Sequence, residues 1–307
     1  MLTLASHGVM AGEGDLGLPI GNMSLGLNIS LDRKEYLQWE PVFVEATMTN
    51  HGKSGVRVVQ FGGAGGDLLS LSYRCMSGKA MLAGMGKVVC VDMGAVRKMQ
   101  LPTFQPRQKC VLWQDIRNRV DLRKAGQFKL DVIYDTTKFE SVKGVWASIL
   151  TSNEVEFEVV LPENEEDAKA SGIVDKAVKN LKTPSLSNLY ESNPELCRKI
   201  LAETHSSRFA AVASFYLAQN IISDLEFHTS NKQKKLDEAI GYLEKCVQSD
   251  SSPYLKGLAK YYILQCKLDS EPKPSNDEVR KMSNSLIKEH PDTFAAMKAK
   301  EILDALK

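Results

Sequence analysis

The stretch that decides the fold is AGQFKLDVIYDTTKFESVKGVWASILTSNEVEFEVVLPEN, residues 125–164. Apolar side chains alternate with polar ones over residues 127–134 and again over residues 154–159. Successive side chains of a strand point to opposite faces, so this alternation predicts two strands with one apolar and one polar face. After Pro162 the period of two disappears and a helical period continues to the end of the chain. The sequence therefore predicts a β-rich part followed by a helical part.

The β-rich part contains further short runs of the same kind, with turn residues between them. They are residues 25–31, 42–48, 56–61, 68–74, 87–93, 110–113 and 145–150. Roughly eight or nine short strands in this spacing are typical of an antiparallel β-sandwich. No long helical pattern separates any two of them, which disfavours a parallel sheet with crossover helices.

Three segments between these strands are predicted to be turns. The glycine cluster at residues 62–66 follows a strand, as a phosphate-binding loop would, but it lacks GK[ST] and leads into another strand. It is therefore predicted to be a hairpin loop. Residues 78–86 are predicted to be a flexible or partner-facing turn, and the charged residues 32–36 a polar turn.

The order of these segments resembles that of bacterial immunoglobulin-like domains. The similar pieces are EPVFVEATMTNHG (40–52), with an Asn-containing turn after a strand, LRKAGQFKLDVIYD (122–135) and VWASILTSNEVEFEVVLP (145–162). The resemblance covers residues 24–161 and implies an immunoglobulin-like β-sandwich. By analogy only, it implies adhesion, spacing or partner recognition.

The helical part begins with an acidic linker and a first helix over residues 162–185. The next helices are predicted from apolar side chains at helical spacing and from start signals. These signals are Pro194, Ser252 with Pro253, and Ser275 with Glu278, a capping-box spacing. A turn at residues 289–292 precedes the last predicted helix.

Residues 186–307 resemble degenerate tetratricopeptide (TPR) hairpins, in two or three copies. LDEAIGYLEKCVQSDSSPYLKGLAKYYILQ (236–265) is similar to the second helix of one repeat and the first helix of the next. HPDTFAAMKAKEIL (290–303) echoes this junction. The Trp and Gly-Tyr that the family carries in its first helix are missing, and the loop at residues 269–275 is long. The resemblance implies all-α hairpins whose first helices line a peptide-binding groove.

Lys256, Lys260 and Lys267 are the candidate partner-binding residues. Their spacing of four and seven places them on one face of a helix, away from its apolar stripe. The TPR resemblance implies that basic residues on this helix can grip a peptide carboxylate. The alternative is an ordinary solvated face of a surface helix.

Chemistry-bearing motifs are missing from the sequence. There is no CxxC pair, no HExxH and no GxSxG, so no catalytic residue, cofactor or metal site is predicted. Lys and Arg number 39 against 38 Asp and Glu, a balance without the basic footprint of nucleic-acid binding. No run approaches the ~18 apolar residues of a transmembrane helix. Cys246 and Cys266 lie on apolar helix faces and are predicted to be buried, structural thiols.

These observations favour a non-catalytic protein- or peptide-binding or scaffold protein, with no partner identified. An enzyme with a site in a cleft between the two domains is one alternative, and convergent polar residues at 160–210 would favour it. A structural spacer is the other, and it requires no exposed patch on the helical groove.

The location is less constrained than the fold. Residues 1–23 are either a disordered leader or the tail of an export signal, with Val9-Met10-Ala11 resembling a cleavage site. A bacterial cell-envelope location, periplasmic or secreted, is favoured over the cytoplasm.

Overall fold

The structure, a computed structural model, describes residues 25–58, 71–77, 80–84, 103–118, 120, 122–137, 140, 145–179, 189–227, 231–249 and 251–306. Within these residues the strands end at Val160 and the α-helices begin at Glu165. The predicted order of a β-rich part followed by a helical part is therefore confirmed. The predicted leader, the glycine cluster at 62–66 and the predicted strand at 87–93 lie outside the described residues.

The described strands form three sheets. They are β1 (Leu25–Leu31), β2 (Glu35–Leu37), β3 (Phe43–Asn50), β4 (Val56–Arg57), β5 (Leu71–Ser77), β6 (Ala80–Gly84), β7 (Thr103–Phe104), β8 (Lys109–Asp115), β9 (Gly126–Asp135), β10 (Ile149–Thr151) and β11 (Val155–Val160). One sheet has the order β1-β3-β8, and a larger one has the order β2-β11-β9-β5-β6 with β10 also paired to β9. Strands β4 and β7 form a separate pair.

The two strands that the opening stretch predicts are both present, and each buries its apolar face. Strand β9 buries Phe128, Leu130, Val132 and Tyr134, and strand β11 buries Phe157 and Val159. The rings of Phe128 and Phe157 stack at 5.3 Å between centroids. Burying side chains of this size provides most of the stabilisation of such a core.

Two predicted turns contain strands. Tyr36 and Leu37 are buried at 1% and 6% exposure and belong to β2, although the charged residues 32–34 before them are typical of a turn. Residues 80–84 form β6, whose backbone pairs with β5 in the register Cys75↔Leu82. The alternation of two is too short in β2 and missing in β6, so periodicity alone could not identify either strand.

Seven helices follow within the described residues. They are α1 (Glu165–Lys179), α2 (Pro194–Glu203), α3 (Arg208–Phe227), α4 (Lys232–Gln248), α5 (Pro253–Asp269), α6 (Asn276–Glu289) and α7 (Phe294–Ala305). None of them combines the length and the apolar character needed to cross a lipid bilayer.

The predicted helix starts are confirmed by their capping geometry. Ser252 accepts a hydrogen bond from the N–H of Leu255, and Ser275 with Glu278 forms the expected capping box. Helix α1 begins within the acidic stretch, where Asn164 accepts a hydrogen bond from the N–H of Asp167. Acidic side chains in a first helical turn are stabilised by the helix dipole, so this charge marks a helix start.

Contacts divide the chain into two compact units. One consists of Met1–Lys34, Phe43–Asp121 and Gly126–Glu158, and the other of Glu35–Val42, Leu122–Ala125 and Val159–Lys307. The second unit, called the helical unit below, therefore includes two segments from the β-rich part of the sequence. Each of its helices packs against the next helix along the chain. In addition, α1 contacts α3, α3 contacts α5, and α5 contacts α7.

Candidate functional site

The three predicted lysines share one face of α5, and the structure places that face toward α4 and α6. Lys260 forms an ion pair with Glu289 of α6, and Ser285 donates a hydrogen bond to the same carboxylate. These interactions lower the pKa of Glu289, with the hydrogen bond from Lys260 as the largest cause. The Lys260 ammonium is thus engaged inside the helical unit.

The other two lysines lie beside the same two helices. Burial raises the pKa of the Cys246 thiol of α4 to about 12, and nearby Lys256 acts in the opposite direction. Lys267 helps to lower the pKa of Glu278 of α6, after the larger effect of hydrogen bonds from Ser275. We call Lys256, Lys260 and Lys267 the lysine face; that it binds a partner stays a prediction.

The opposite side of α5 carries a second set of half-buried side chains. Tyr261, Tyr262 and Gln265 are all of intermediate exposure. At roughly 100° per residue they lie on the side of the helix opposite to the lysines. We call these three residues the tyrosine face. Helical spacing places Tyr262 in the apolar stripe of α5 with Leu255 and Ala259, and it predicts no role for Tyr261.

The tyrosine face belongs to a row of aromatic rings that runs from the segment before α2 to α7. Neighbouring ring centroids are 5.1–5.9 Å apart, within the usual range for aromatic pairs. The pairs are Tyr190–Tyr216 at 5.7 Å, Phe215–Tyr216 at 5.6 Å, Phe215–Tyr262 at 5.9 Å, Tyr261–Tyr262 at 5.1 Å and Tyr261–Phe294 at 5.9 Å. We call these six residues the aromatic row. It connects α3, α5 and α7. These helices are not consecutive in the chain, but α3 contacts α5 and α5 contacts α7.

The half-buried end of the aromatic row, formed by Tyr261, Tyr262 and Phe294, has polar groups beside it. Burial raises the pKa of Tyr262 to about 12, and a hydrogen bond with Gln219 of α3 opposes this rise. Burial, followed by Glu301 of α7, raises the pKa of Tyr261. Both phenols are therefore neutral at physiological pH and can donate or accept hydrogen bonds. Lys298 pairs with Glu301 at 2.8 Å and lies 5.8 Å from the Phe294 ring centroid.

The adjacent Tyr261 and Tyr262 are the sequence feature from which the tyrosine face could have been predicted. Neighbouring residues of a helix point about 100° apart, so Tyr261 and Tyr262 cannot both belong to one narrow apolar stripe. Helix α5 is buried on most of its circumference, which makes its few half-open positions hard to identify from apolar spacing.

A separate polar cluster includes Asp167 and Arg208. Both lie within residues 160–210, where convergent polar side chains would favour the enzyme alternative. Glu40 is buried, and its carboxylate accepts from Arg208 at 2.7 Å and from the N–H of Leu37 at 2.9 Å. Asp167, also buried, accepts from the N–H of Arg208 at 2.7 Å and from Asn164. The carboxylates therefore hold the starts of α1 and α3 and the segment Glu35–Val42 together within the helical unit, and the enzyme alternative stays a prediction.

The described cysteines have the properties of structural thiols. Cys246 and Cys266 are buried at 0% and 2% exposure, as predicted. Burial raises the pKa of Cys75 and Cys197 to about 12 and that of Cys266 to about 11, so little thiolate is present at neutral pH. None of the described cysteines is in a disulfide. Cys90 lies outside the described residues.

The histidines do not converge in the described part of the chain. The His51 ring covers Gly26 of β1, and the His290 ring covers Gly257 of α5, where an added Cβ would lie 2.7 Å and 3.1 Å from the respective rings. No group of three or more His, Cys, Asp or Glu side chains suited to a metal ion occurs among the described residues.

Comparison with known proteins gives little further information. Neither protein-family models nor curated proteins match the sequence. The crystal structure of the CARDB domain of a Pyrococcus furiosus protein, in complex with di-metal ions, matches 47% of this chain and 100% of that domain, with 14% identity and a TM-score of 0.26.

Two other solved structures give similar values. The solution structure of the same CARDB domain matches 46% of this chain and 98% of the domain, with 14% identity and a TM-score of 0.24. A β-glucosidase from Erythrobacter marinus matches 45% of this chain and 16% of its own, with 11% identity and a TM-score of 0.24. At such TM-scores these similarities carry no argument about fold or function.

Proposed function

We propose that the chain is a non-catalytic module that binds an extended peptide segment of a partner protein on the tyrosine face of its helical unit. In this proposal an immunoglobulin-like β-sandwich carries TPR-like helical hairpins. The observation on which the binding proposal rests is the half-buried end of the aromatic row, formed by Tyr261 and Tyr262 of α5 and Phe294 of α7.

The sandwich part of the proposal is supported by the sheets. Two sheets each bury one face, and the side chain of Asn153, from the turn between β10 and β11, bonds both backbone groups of Ile29 in β1 at 2.8 and 3.0 Å. A link of this kind between strands of different sheets is expected where the sheets pack face to face.

The TPR-like part is supported by the helix contacts. Every second helix, α1, α3, α5 and α7, contacts the next of its kind, as the first helices of stacked hairpins do. Helix α5 is also the helix that the sequence resemblance assigns to the first position of a repeat. Thr293 rather than Pro291 caps α7, so the proline that echoes the repeat junction lies before the helix.

The tyrosine face has the chemistry of a recognition surface. Tyrosine is enriched at interfaces because a rigid ring gives a large contact area and its hydroxyl still hydrogen-bonds. The half-buried amide of Gln265 can donate to and accept from a peptide backbone. An extended peptide offers unpaired backbone groups to such amides and side chains to the rings.

Selection from a displayed library of random peptides on the full chain tests this proposal. We expect enriched sequences, and we expect Tyr261→Ser with Gln265→Ala to weaken the best peptide by roughly 30-fold, the effect of losing ~2 kcal/mol at a central contact. The matched pair on the other side of α5, Lys256→Ala with Lys267→Ala, should change the affinity less than about threefold.

Three results would count against the proposal in different ways. If only the lysine pair weakens binding, the lysine face is the site and the tyrosine face is not. If neither pair matters, the bound peptide lies elsewhere. If no sequence is enriched, the spacer alternative gains and peptide binding is rejected.

A further inference from the structure

Helices α6 and α7 meet at a turn, residues 289–293, which we call the α6–α7 corner. His290 ends α6, and its N–H donates to the carbonyl of Leu286 at 3.0 Å. The His290 carbonyl accepts a hydrogen bond of 2.7 Å from the hydroxyl of Thr293, which in turn caps α7 by accepting from the N–H of Ala296. One residue therefore ends one helix and positions the cap of the next.

The α6–α7 corner is joined to α5 by the His290 ring and by an ion pair. The ring lies over Gly257, a buried position of α5, where an added Cβ would lie 3.1 Å from Cγ and 3.2 Å from Nδ1 of the ring. The ion pair connects Lys260 with Glu289, whose side chains are 32% and 44% exposed. Ion pairs that are this open to solvent contribute little, so the packed ring is the stronger of the two contacts.

The inner edge of the His290 ring suits the neutral imidazole and not the imidazolium. Its Nε2 is buried and has no hydrogen-bond partner among the described residues. In the neutral ring this nitrogen can be the one without a proton, whereas the imidazolium carries an N–H on both nitrogens. Protonation would therefore place an unpaired donor and a positive charge at a buried position, which is costly.

The charged groups around the ring do not offset this cost. Lys260 of α5 opposes a charge on His290, and Lys256, one turn before it, is likewise a cation. Glu289 of α6 favours the charge, but its carboxylate is already paired with Lys260. Asp292, in the turn that leads to α7, is exposed, so solvent screens it. The pKa of His290 is accordingly below its ordinary value, with burial as the largest cause.

We infer that the His290 ring is an acid-sensitive latch, which leaves its place over Gly257 when it takes up a proton and so releases the α6–α7 corner from α5. In solvent both N–H groups of the imidazolium find partners in water. The start of α7 moves with the corner, because Thr293 is bonded to the His290 carbonyl. The Phe294 ring, 5.9 Å from that of Tyr261 between centroids, then separates from it. This device goes beyond the proposed function, because it requires no bound peptide.

Hydrogen exchange of the full chain, followed by mass spectrometry, tests the latch at about pH 7.5 and about pH 5, on either side of the ordinary histidine pKa. After correction for the intrinsic pH dependence of exchange, residues 290–300 should exchange at least about fivefold faster at the lower pH, because protonation favours the open corner. Strand β3, in the other unit, is the internal reference and should change by less than about twofold.

Three variants show whether the ring is responsible. His290→Gln has no titratable group and should remove the pH dependence at residues 290–300. His205→Gln, at an exposed position, is the matched control and should exchange as the wild type does. Gly257→Ala keeps the histidine but places a Cβ 3.1 Å from its ring. The corner of this variant should already be open at about pH 7.5, so acid should accelerate its exchange by less than about twofold.

A pH response that persists in His290→Gln would overturn the inference. Exchange in Gly257→Ala that equals the wild type at both pH values would also overturn it, because the ring would then not hold the corner. If residues 290–300 exchange no faster than α3 at the lower pH, acid destabilises the helical unit as a whole and no local opening takes place. These measurements contain no peptide, so a failure of the latch is distinct from a failure of the proposed function.

Discussion

Each of the two units contains its own kind of long-range buried polar contact. In the strand-rich unit two asparagine side chains make long-range hydrogen bonds to backbone groups. Asn50 is fully buried and donates to the carbonyls of Ser54 and Phe104, and Asn153 bonds the backbone of Ile29. In the helical unit the corresponding contacts are charged, between Arg208 and the buried Glu40 and between Asp167 and the start of α3.

The difference has consequences for stability. An amide satisfies backbone groups without carrying a charge, so its contribution is independent of pH and of salt. A buried ion pair must repay the desolvation of both ions, and removing one partner leaves the other buried without compensation. The strand-rich unit also has a buried ion pair, Asp115 with Arg117, but its partners are only two residues apart. The comparison therefore predicts larger mutational and acid effects in the helical unit.

The largest effect is expected for Arg208→Met. It leaves the Glu40 carboxylate buried at 4% exposure beside an apolar side chain, at a cost of about 3 kcal/mol in the free energy of unfolding. Chemical denaturation of the full chain, followed by far-ultraviolet circular dichroism, would measure it. The double variant Glu40→Gln, Arg208→Met should recover more than half of this loss, because no charge remains buried.

An exposed pair gives the control for this experiment. Arg198 pairs with Glu195 on α2, where both side chains are more than half exposed. Arg198→Met should cost less than about 0.5 kcal/mol, as exposed pairs usually do. If Arg208→Met costs no more than Arg198→Met, the charged contact does not hold the helical unit together and the comparison fails.

The second effect concerns Asn50 in the strand-rich unit. Asn50→Ala removes two donated hydrogen bonds of 2.8 and 2.9 Å and one accepted from the N–H of Gly52, and the buried carbonyl of Phe104 loses this donor. We expect a loss of about 2 kcal/mol in the free energy of unfolding. Tryptophan fluorescence would follow this unit through Trp113 and Trp146, in a background where Trp39 is replaced by Phe.

Asn28→Ala, on the exposed face of β1, is the control for Asn50. It should change the unfolding free energy by less than about 0.5 kcal/mol. Equal losses from the two substitutions would mean that the turn does not depend on the Asn50 hydrogen bonds.

These two contacts also show what the sequence can and cannot predict. Asn50 lies in the turn that the immunoglobulin-like resemblance identifies, and its bonds reach Ser54 four residues away, so a local pattern was enough. Glu40 and Arg208 lie in different halves of the sequence, and neither stands in a recognisable motif. The hydroxyl of Tyr190 likewise bonds the carbonyl of Trp39, 151 positions away. Periodicity carries no information about such pairs.

The candidate site shows the same limit. The spacing of Lys256, Lys260 and Lys267 correctly predicts that they share a face, because helix geometry is local. Which helices the lysine face contacts depends on how α4 and α6 pack against α5. The spacing of residues within α5 does not predict this packing. The tyrosine face was missed for the complementary reason, since its importance comes from rings on α3 and α7 that meet it in space.

A smaller effect is expected at Asn153. Asn153→Ala removes both bonds to Ile29, for a loss of about 1 kcal/mol in the free energy of unfolding. Asn153→Asp keeps an acceptor for the N–H of Ile29 but places a carboxylate oxygen against its carbonyl. The aspartate variant should therefore be the less stable of the two at neutral pH and should recover in acid, when the carboxylate is protonated. Equal denaturation midpoints for both variants across this pH range would show that the amide does not bridge the backbone of β1.

The smallest effect is an acid response of the helical unit at His290. Its ring covers Gly257, its Nε2 is buried with no hydrogen-bond partner among the described residues, and Lys260 lies nearby. Burial first and Lys260 second lower the pKa of His290, while Glu289 acts in the opposite direction. The unfolded chain therefore takes up this proton at a higher pH, near the ordinary value of about 6.5. Stability is retained above that pH and falls as the pH drops through it.

The pH profile of the denaturation midpoint tests this response. His290→Gln should flatten the decline below about pH 6.5 for the helical signal, whereas His205→Gln, at an exposed position, should leave it unchanged. The tryptophan signal from the strand-rich unit should show no such step from either variant, because neither histidine belongs to that unit. An equal decline in the wild type and in His290→Gln would show that His290 is not the source of the acid response.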